Sequence, residues 1–296
     1  AYIDKKMKHI DFLKINNEIY GKFLTHIIVL IFFAIFLFFE VAIISGFTNV
    51  LHLTIVNYIP NYIILIVVIL ITIYSVIYGL TNVGRLCELF FYLMIGFIAL
   101  MIFFIPIGEI RNIKPIITSY KDIIKAIPAT LYSYTGVEIS YICISFITNK
   151  KNTKKAGVIA VLTIIFIYTL NIFITIYFLG WELTSKVSYP LLYLVSTVHL
   201  PLIENFKILL MFLWSSIIFR ILVCYLFASS YCLSKVIKMN YRGCCIICSI
   251  FTLGLSYFFI PEYNRTKIVD AITPYVVIFG VLWGVVTAIL VYFKTR

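Results

Sequence analysis

The run KFLTHIIVLIFFAIFLFFEVAIISGF, Lys22 to Phe47, decides the fold class. Past its first residue it carries one carboxylate, Glu40, in an otherwise apolar stretch. At about 1.5 Å of rise per residue such a helix crosses the ~30 Å hydrocarbon core of a bilayer. Working outward, seven further runs of this kind follow at 58–79, 84–108, 126–148, 156–180, 206–235, 243–261 and 270–293, separated by short polar connections. Turn residues punctuate them: Pro60, then Pro106 with Gly108, then Pro261. The composition agrees, with 63% hydrophobic residues, 12% charged and a mean hydropathy of +1.08. A soluble chain carries about a quarter charged residues, so lipid must solvate much of this surface. The runs are continuous where a transmembrane barrel would alternate, so the expected fold is all-α and integral to the membrane. It has about eight transmembrane helices in a single domain over 1–296 and no soluble module.

The net charge of +12 is read as Lys and Arg gathered on the cytoplasmic side, with no basic face carrying exposed stacking aromatics for nucleic acid. Lys5, Lys6, Lys8, Lys14 and Lys22 precede the first span, and Lys150, Lys151, Lys154 and Lys155 follow the fourth. Lys294 and Arg296 close the chain, whereas Arg111, Lys114, Lys121 and Lys125 fall on the opposite side. This balance predicts that the N-terminus and the C-terminus are both cytoplasmic. The seven cysteines then lie in inner halves or inner loops, where thiols stay reduced. Cys244-Cys-Ile-Ile-Cys248 lacks a second ligand pair at zinc spacing, so no metal site is expected.

Ionisable groups inside hydrocarbon are costly and therefore candidates for function. Glu138 lies ~18 Å from the outer surface and Arg220 ~21 Å, by helical rise. The two are expected close enough to pair or to share a wet cavity. Glu40, ~27 Å along its own span, has two readings, a snorkelling carboxylate at the outer interface or a ligand. The 126–148 run is the least regular: Pro128-Ala-Thr-Leu-Tyr132-Ser-Tyr-Thr-Gly136-Val-Glu138-Ile-Ser-Tyr141 sets hydroxyls, a glycine and a carboxylate at mid-membrane. Gly136 permits unwinding, and unwound backbone survives at that depth only against a cavity. Secondary transporters build substrate sites in this way. The competing reading is a small-residue packing face. Arg85 and Glu88 share a helix face at the 79–88 turn and suit a hinge or anchor. The 189–201 stretch suits a short interfacial helix, with His199 a surface histidine. No nucleophile–base pair, phosphate loop or dinucleotide fingerprint occurs, so neither an enzyme nor a cofactor is expected.

Four stretches carry a resemblance: Tyr78-Gly-Leu-Thr-Asn-Val-Gly-Arg85-Leu-Cys-Glu88, Tyr132-Ser-Tyr-Thr-Gly-Val-Glu138 with the following Lys150-Lys-Asn-Thr-Lys-Lys155, Tyr189-Pro-Leu-Leu-Tyr-Leu-Val195, and Trp214 through Ala228 with Phe219 and Tyr225. In this order they resemble the spore permease family, the B subunits of spore germinant receptors within the amino acid–polyamine–organocation superfamily. The resemblance implies a ten-helix fold of two inverted five-helix repeats. The first span here would match the third helix and the 126–148 run the broken sixth, so the first two helices are expected to be missing. The chain, which opens on Ala1, is then expected to be a fragment or a truncated gene product.

The resemblance also implies a membrane subunit in the cell or spore inner membrane of an endospore former. It would sense a small nutrient, an amino acid, and partner A-type and C-type receptor subunits. Tyr132, Ser133, Tyr134, Thr135, Gly136 and Val137 would bind the ligand, the backbone around Tyr134–Val137 holding its charged ends. Glu138 would face an amine or Arg220, and Trp214 and Tyr225 would line the cavity. Arg220 departs from the small or hydroxyl residue usual there. An amino-acid permease, a non-functional remnant and a purely structural membrane scaffold are the alternatives.

Overall fold

A computed structural model describes residues 2–7, 11–114, 119–147, 151–197 and 206–294. Lys8, Lys150, His199 and Arg296, and the end of the fourth span at Thr148, lie outside them. The described residues form helices and turns, with no strand among them. In chain order the helices are α1 (Tyr2–Lys6), α2 (Phe12–Thr54), α3 (Asn61–Val76), α4 (Leu80–Ile102), α5 (Tyr120–Thr130) and α6 (Ile139–Cys143). They continue with α7 (Thr153–Leu179), α8 (Trp181–Lys186), α9 (Pro190–Thr197), α10 (Phe206–Ile237), α11 (Tyr241–Phe259) and α12 (Glu262–Lys294).

Six of them, α2, α4, α7, α10, α11 and α12, are long and apolar enough to cross a membrane, and α3 is a shorter apolar helix. The expected 126–148 span is no single helix but α5, a 3-10 turn over Leu131–Tyr134, and α6. Helices run past the apolar stretches that announce them. α2 starts ten residues before Lys22 and kinks at Gly21 (φ 77°). α12 starts at Glu262, with the Arg265–Glu262 ion pair in its first turn, and passes through Pro274. Contacts between helices accompany both: Asn49 Nδ2 of α2 donates to Glu262 Oε2 at 3.0 Å at the start of α12, and the start of α2 meets the far end of α12. Trp283 Nε1 donates to Asn16 Oδ1 at 3.0 Å, Tyr20 and Thr287 share a hydroxyl–hydroxyl bond of 2.8 Å, and Lys294 reaches the Glu18 carbonyl.

Two compact units divide the chain: residues 1–86, 126–151 and 219–296 in the first, and 87–125 and 152–218 in the second. The first is organised on α2, which packs along α3, α11 and α12. Phe12, Phe32 and Trp283 interlock at its centre with ring centroids 5.3–5.4 Å apart. In the second unit Phe97, Met101, Phe104, Ile174, Leu194, Val195, Leu210 and Leu213 form the core. There Asn112 Nδ2 donates to the carbonyls of Tyr177 and Phe178, closing the end of α7. Only Ile174 and Thr175 of α7 are buried, as expected of a helix apolar all round that presents its sides to lipid. The 189–201 stretch contains α9, preceded by α8.

Candidate binding site at a broken helix

The site grows from Gly136. Pro128 sits in the last turns of α5, where its missing N–H and its ring weaken the helix, and the backbone tightens to a 3-10 turn by Leu131. Thr135 is extended (φ −64°, ψ 150°), and Gly136 follows at φ 99°, a left-handed conformation that costs an L side chain strain. The chain then turns through i→i+3 bonds, Ile139 N–H to Gly136 C=O and Ser140 N–H to Val137 C=O, into α6. Glu138 caps the turn from within, its Oε2 accepting the Gly136 N–H at 2.9 Å. Thr135 Oγ1 donates to the Tyr132 carbonyl at 2.8 Å. The break is therefore held by its own side chains.

Three neighbouring helices press on it. On α10, Tyr225 is 1% exposed, and its hydroxyl has no hydrogen-bond partner among the described residues. A Cβ placed on Gly136 would stand 3.1 Å from that hydroxyl. From α2, Phe39 packs on Tyr132 and Tyr225 with centroids 6.1 and 5.9 Å apart, and Phe36 reaches Tyr225 at 6.3 Å. On α12, Gly280 and Gly284 open a notch. A Cβ at Gly280 would come 2.9 Å from Glu138 Cγ, and one at Gly284 2.7 Å from the Tyr141 hydroxyl. Tyr141 donates to the Gly280 carbonyl at 3.2 Å and packs on Trp283 at 4.6 Å. Glu138 ends up 7% exposed. A buried carboxylate and a buried phenol at a helix break suit a small polar molecule carrying an amine or a hydrogen-bonding group.

Of the residues singled out in the sequence, Tyr132 to Glu138 and Tyr225 come together. Tyr132, Ser133, Thr135 and Gly136 are half-buried, while Tyr134 and Val137 point outward with 37% and 49% exposure. Arg220 lies half-buried on α10 in the same unit. Trp214 belongs to the second unit, packed against its apolar core. Sequence reading passed over Tyr141, Phe36, Phe39 and the glycine pair of α12. The pair was legible as Gly280-Val-Leu-Trp-Gly284 in an apolar helix, a small-xxx-small spacing that lets another segment approach closely.

Together these features define an all-helical integral membrane protein of transporter-like build, in which the 126–148 stretch is interrupted near its middle. The chain belongs to the spore germination protein family of spore permeases, whose family model matches residues 1–265. It is 27% identical to spore germination protein YndE of Bacillus subtilis over 240 residues, covering 79% of this chain and 65% of YndE. It is 24% identical to spore germination protein GerQB of Bacillus cereus over 289 residues, covering 94% of this chain and 79% of GerQB. The chain thus spans just under two thirds of YndE's length in that alignment. No solved structure matches it significantly.

Proposed function

We propose that the chain is the B-type membrane subunit of a nutrient germinant receptor, sensing an amino acid at the break between α5 and α6 and working with A-type and C-type subunits. The observation that carries this reading is the pairing of a left-handed glycine with buried Glu138 and Tyr225 in a chain of the spore germination family. Glu138 would meet the ligand's amine, or Arg220 in its absence. Backbone N–H groups of the turn would meet its carboxylate. The cytoplasmic face would carry both chain ends, in the spore inner membrane.

A carrier reading is favoured by the same broken segment, because such breaks hold substrate in secondary transporters. Purified protein in proteoliposomes separates the two. Saturable binding of a labelled amino acid, lost in Glu138→Gln and without accumulation inside, supports the receptor. Accumulation supports the carrier. Absence of binding by any of the common amino acids removes both.

A further inference from the structure

Glu40, which takes no part in the site above, lies within the apolar run of α2 and is 2% exposed. Its Oε2 stands 3.4 Å from Ser229 Oγ of α10, beyond the about 2.5–3.0 Å of an ordinary O–H···O bond. The Ser229 hydroxyl also reaches the Leu226 carbonyl at 3.1 Å, so its proton has another acceptor. Ser230 beside it and Thr252 on α11 are fully buried, and neither hydroxyl has a hydrogen-bond partner among the described residues. Thr252 faces Glu40, and Ser230 faces the thiols of Cys245 and Cys248, which border the carboxylate from α11.

The ion pairs described in the molecule lie elsewhere, at Asp11–Lys235, Glu262–Arg265 and Glu18–Lys294. Among the described residues those thiols are the ionisable groups that border Glu40, and a neutral thiol offers no countercharge. An ionised carboxylate buried without one is costly by several kcal/mol. A divalent ion would leave a surplus positive charge in hydrocarbon, while a single positive charge neutralises Glu40. Carboxylate and hydroxyl oxygens are the ligands a hard cation takes.

We propose that Glu40, Ser229 and Thr252 form a buried site for one monovalent cation, a proton or an alkali-metal ion, separate from the break at Gly136. Ser229 follows Tyr225 by one helical turn, and Phe39, beside Glu40, packs on Tyr225 and Tyr132. Charge bound here therefore sits directly behind the broken segment.

The test uses the full chain in lipid nanodiscs without any amino acid, so its outcome is independent of ligand binding at the break. Infrared difference spectra at neutral pH report a protonated carboxyl. Thermal unfolding in sodium, potassium or choline chloride at equal ionic strength reports an alkali ion. The proton form gives a protonated-carboxyl band that disappears in Glu40→Gln. The alkali form gives a midpoint that rises saturably with sodium or potassium over choline in the wild type only. An unprotonated Glu40 with a midpoint indifferent to the cation overturns the proposal. Should Glu40→Gln fail to fold, Thr252→Val and Ser229→Ala keep the carboxyl. They are expected to shift its band or weaken the ion's effect about tenfold. No change in either variant is likewise a refutation.

Discussion

Gly136 is the residue on which the site turns, and its demands are both conformational and steric. At φ 99° an L side chain is strained by about 1–2 kcal/mol, and a Cβ there meets the Tyr225 hydroxyl at 3.1 Å. Gly136→Ala is therefore expected to destabilise the protein by about 1–2 kcal/mol or more, read as a lowered unfolding midpoint in detergent. Adding Tyr225→Phe should relieve the steric part only. Full recovery in the double variant would show that the backbone is not strained. Gly136 was readable in the sequence as a point of unwinding among hydroxyls. The Tyr225 hydroxyl that crowds it was not, because 89 residues of chain separate two groups that only packing brings together.

At the scale of elements, the break depends on α12. Gly280 and Gly284 lie one helical turn apart and admit Glu138 and Tyr141, which no larger residue at those places would. Gly280→Val should push Glu138 off the Gly136 N–H, lower the unfolding midpoint and abolish amino-acid binding. Gly157→Ala, on α7 where a Cβ meets nothing within 4 Å, should raise helix stability by up to about 1 kcal/mol and leave binding intact. Equal tolerance of the two changes would mean that α12 does not shape the site. Element boundaries show the same division of information. Hydropathy located α7, α10 and α11 to within a few residues. It missed the first turns of α2 and α12, where Asn16 meets Trp283 and Glu262 meets Asn49 across helices rather than lipid.

For the whole molecule, Glu18 beside Lys294 and Tyr20 beside Thr287 bring the start of α2 and the end of α12 to the same end of the first unit. The excess of Lys and Arg at those ends predicts that this end faces the cytoplasm. Cysteines introduced as Glu18→Cys and Lys294→Cys should then react with an impermeant maleimide in inside-out vesicles and resist it in intact cells. The reverse pattern would invert the proposed topology. The sequence alone settled that lipid is the solvent, that the chain is helical and where the irregular segment lies. Continuous apolar runs leave backbone groups no partners except within a helix. Only the tertiary structure decided which polar groups share an environment. The Tyr225–Gly136 approach, the α12 notch and the Glu40 seam arise from contacts between helices remote in the chain, and hydropathy carries no record of which face meets which.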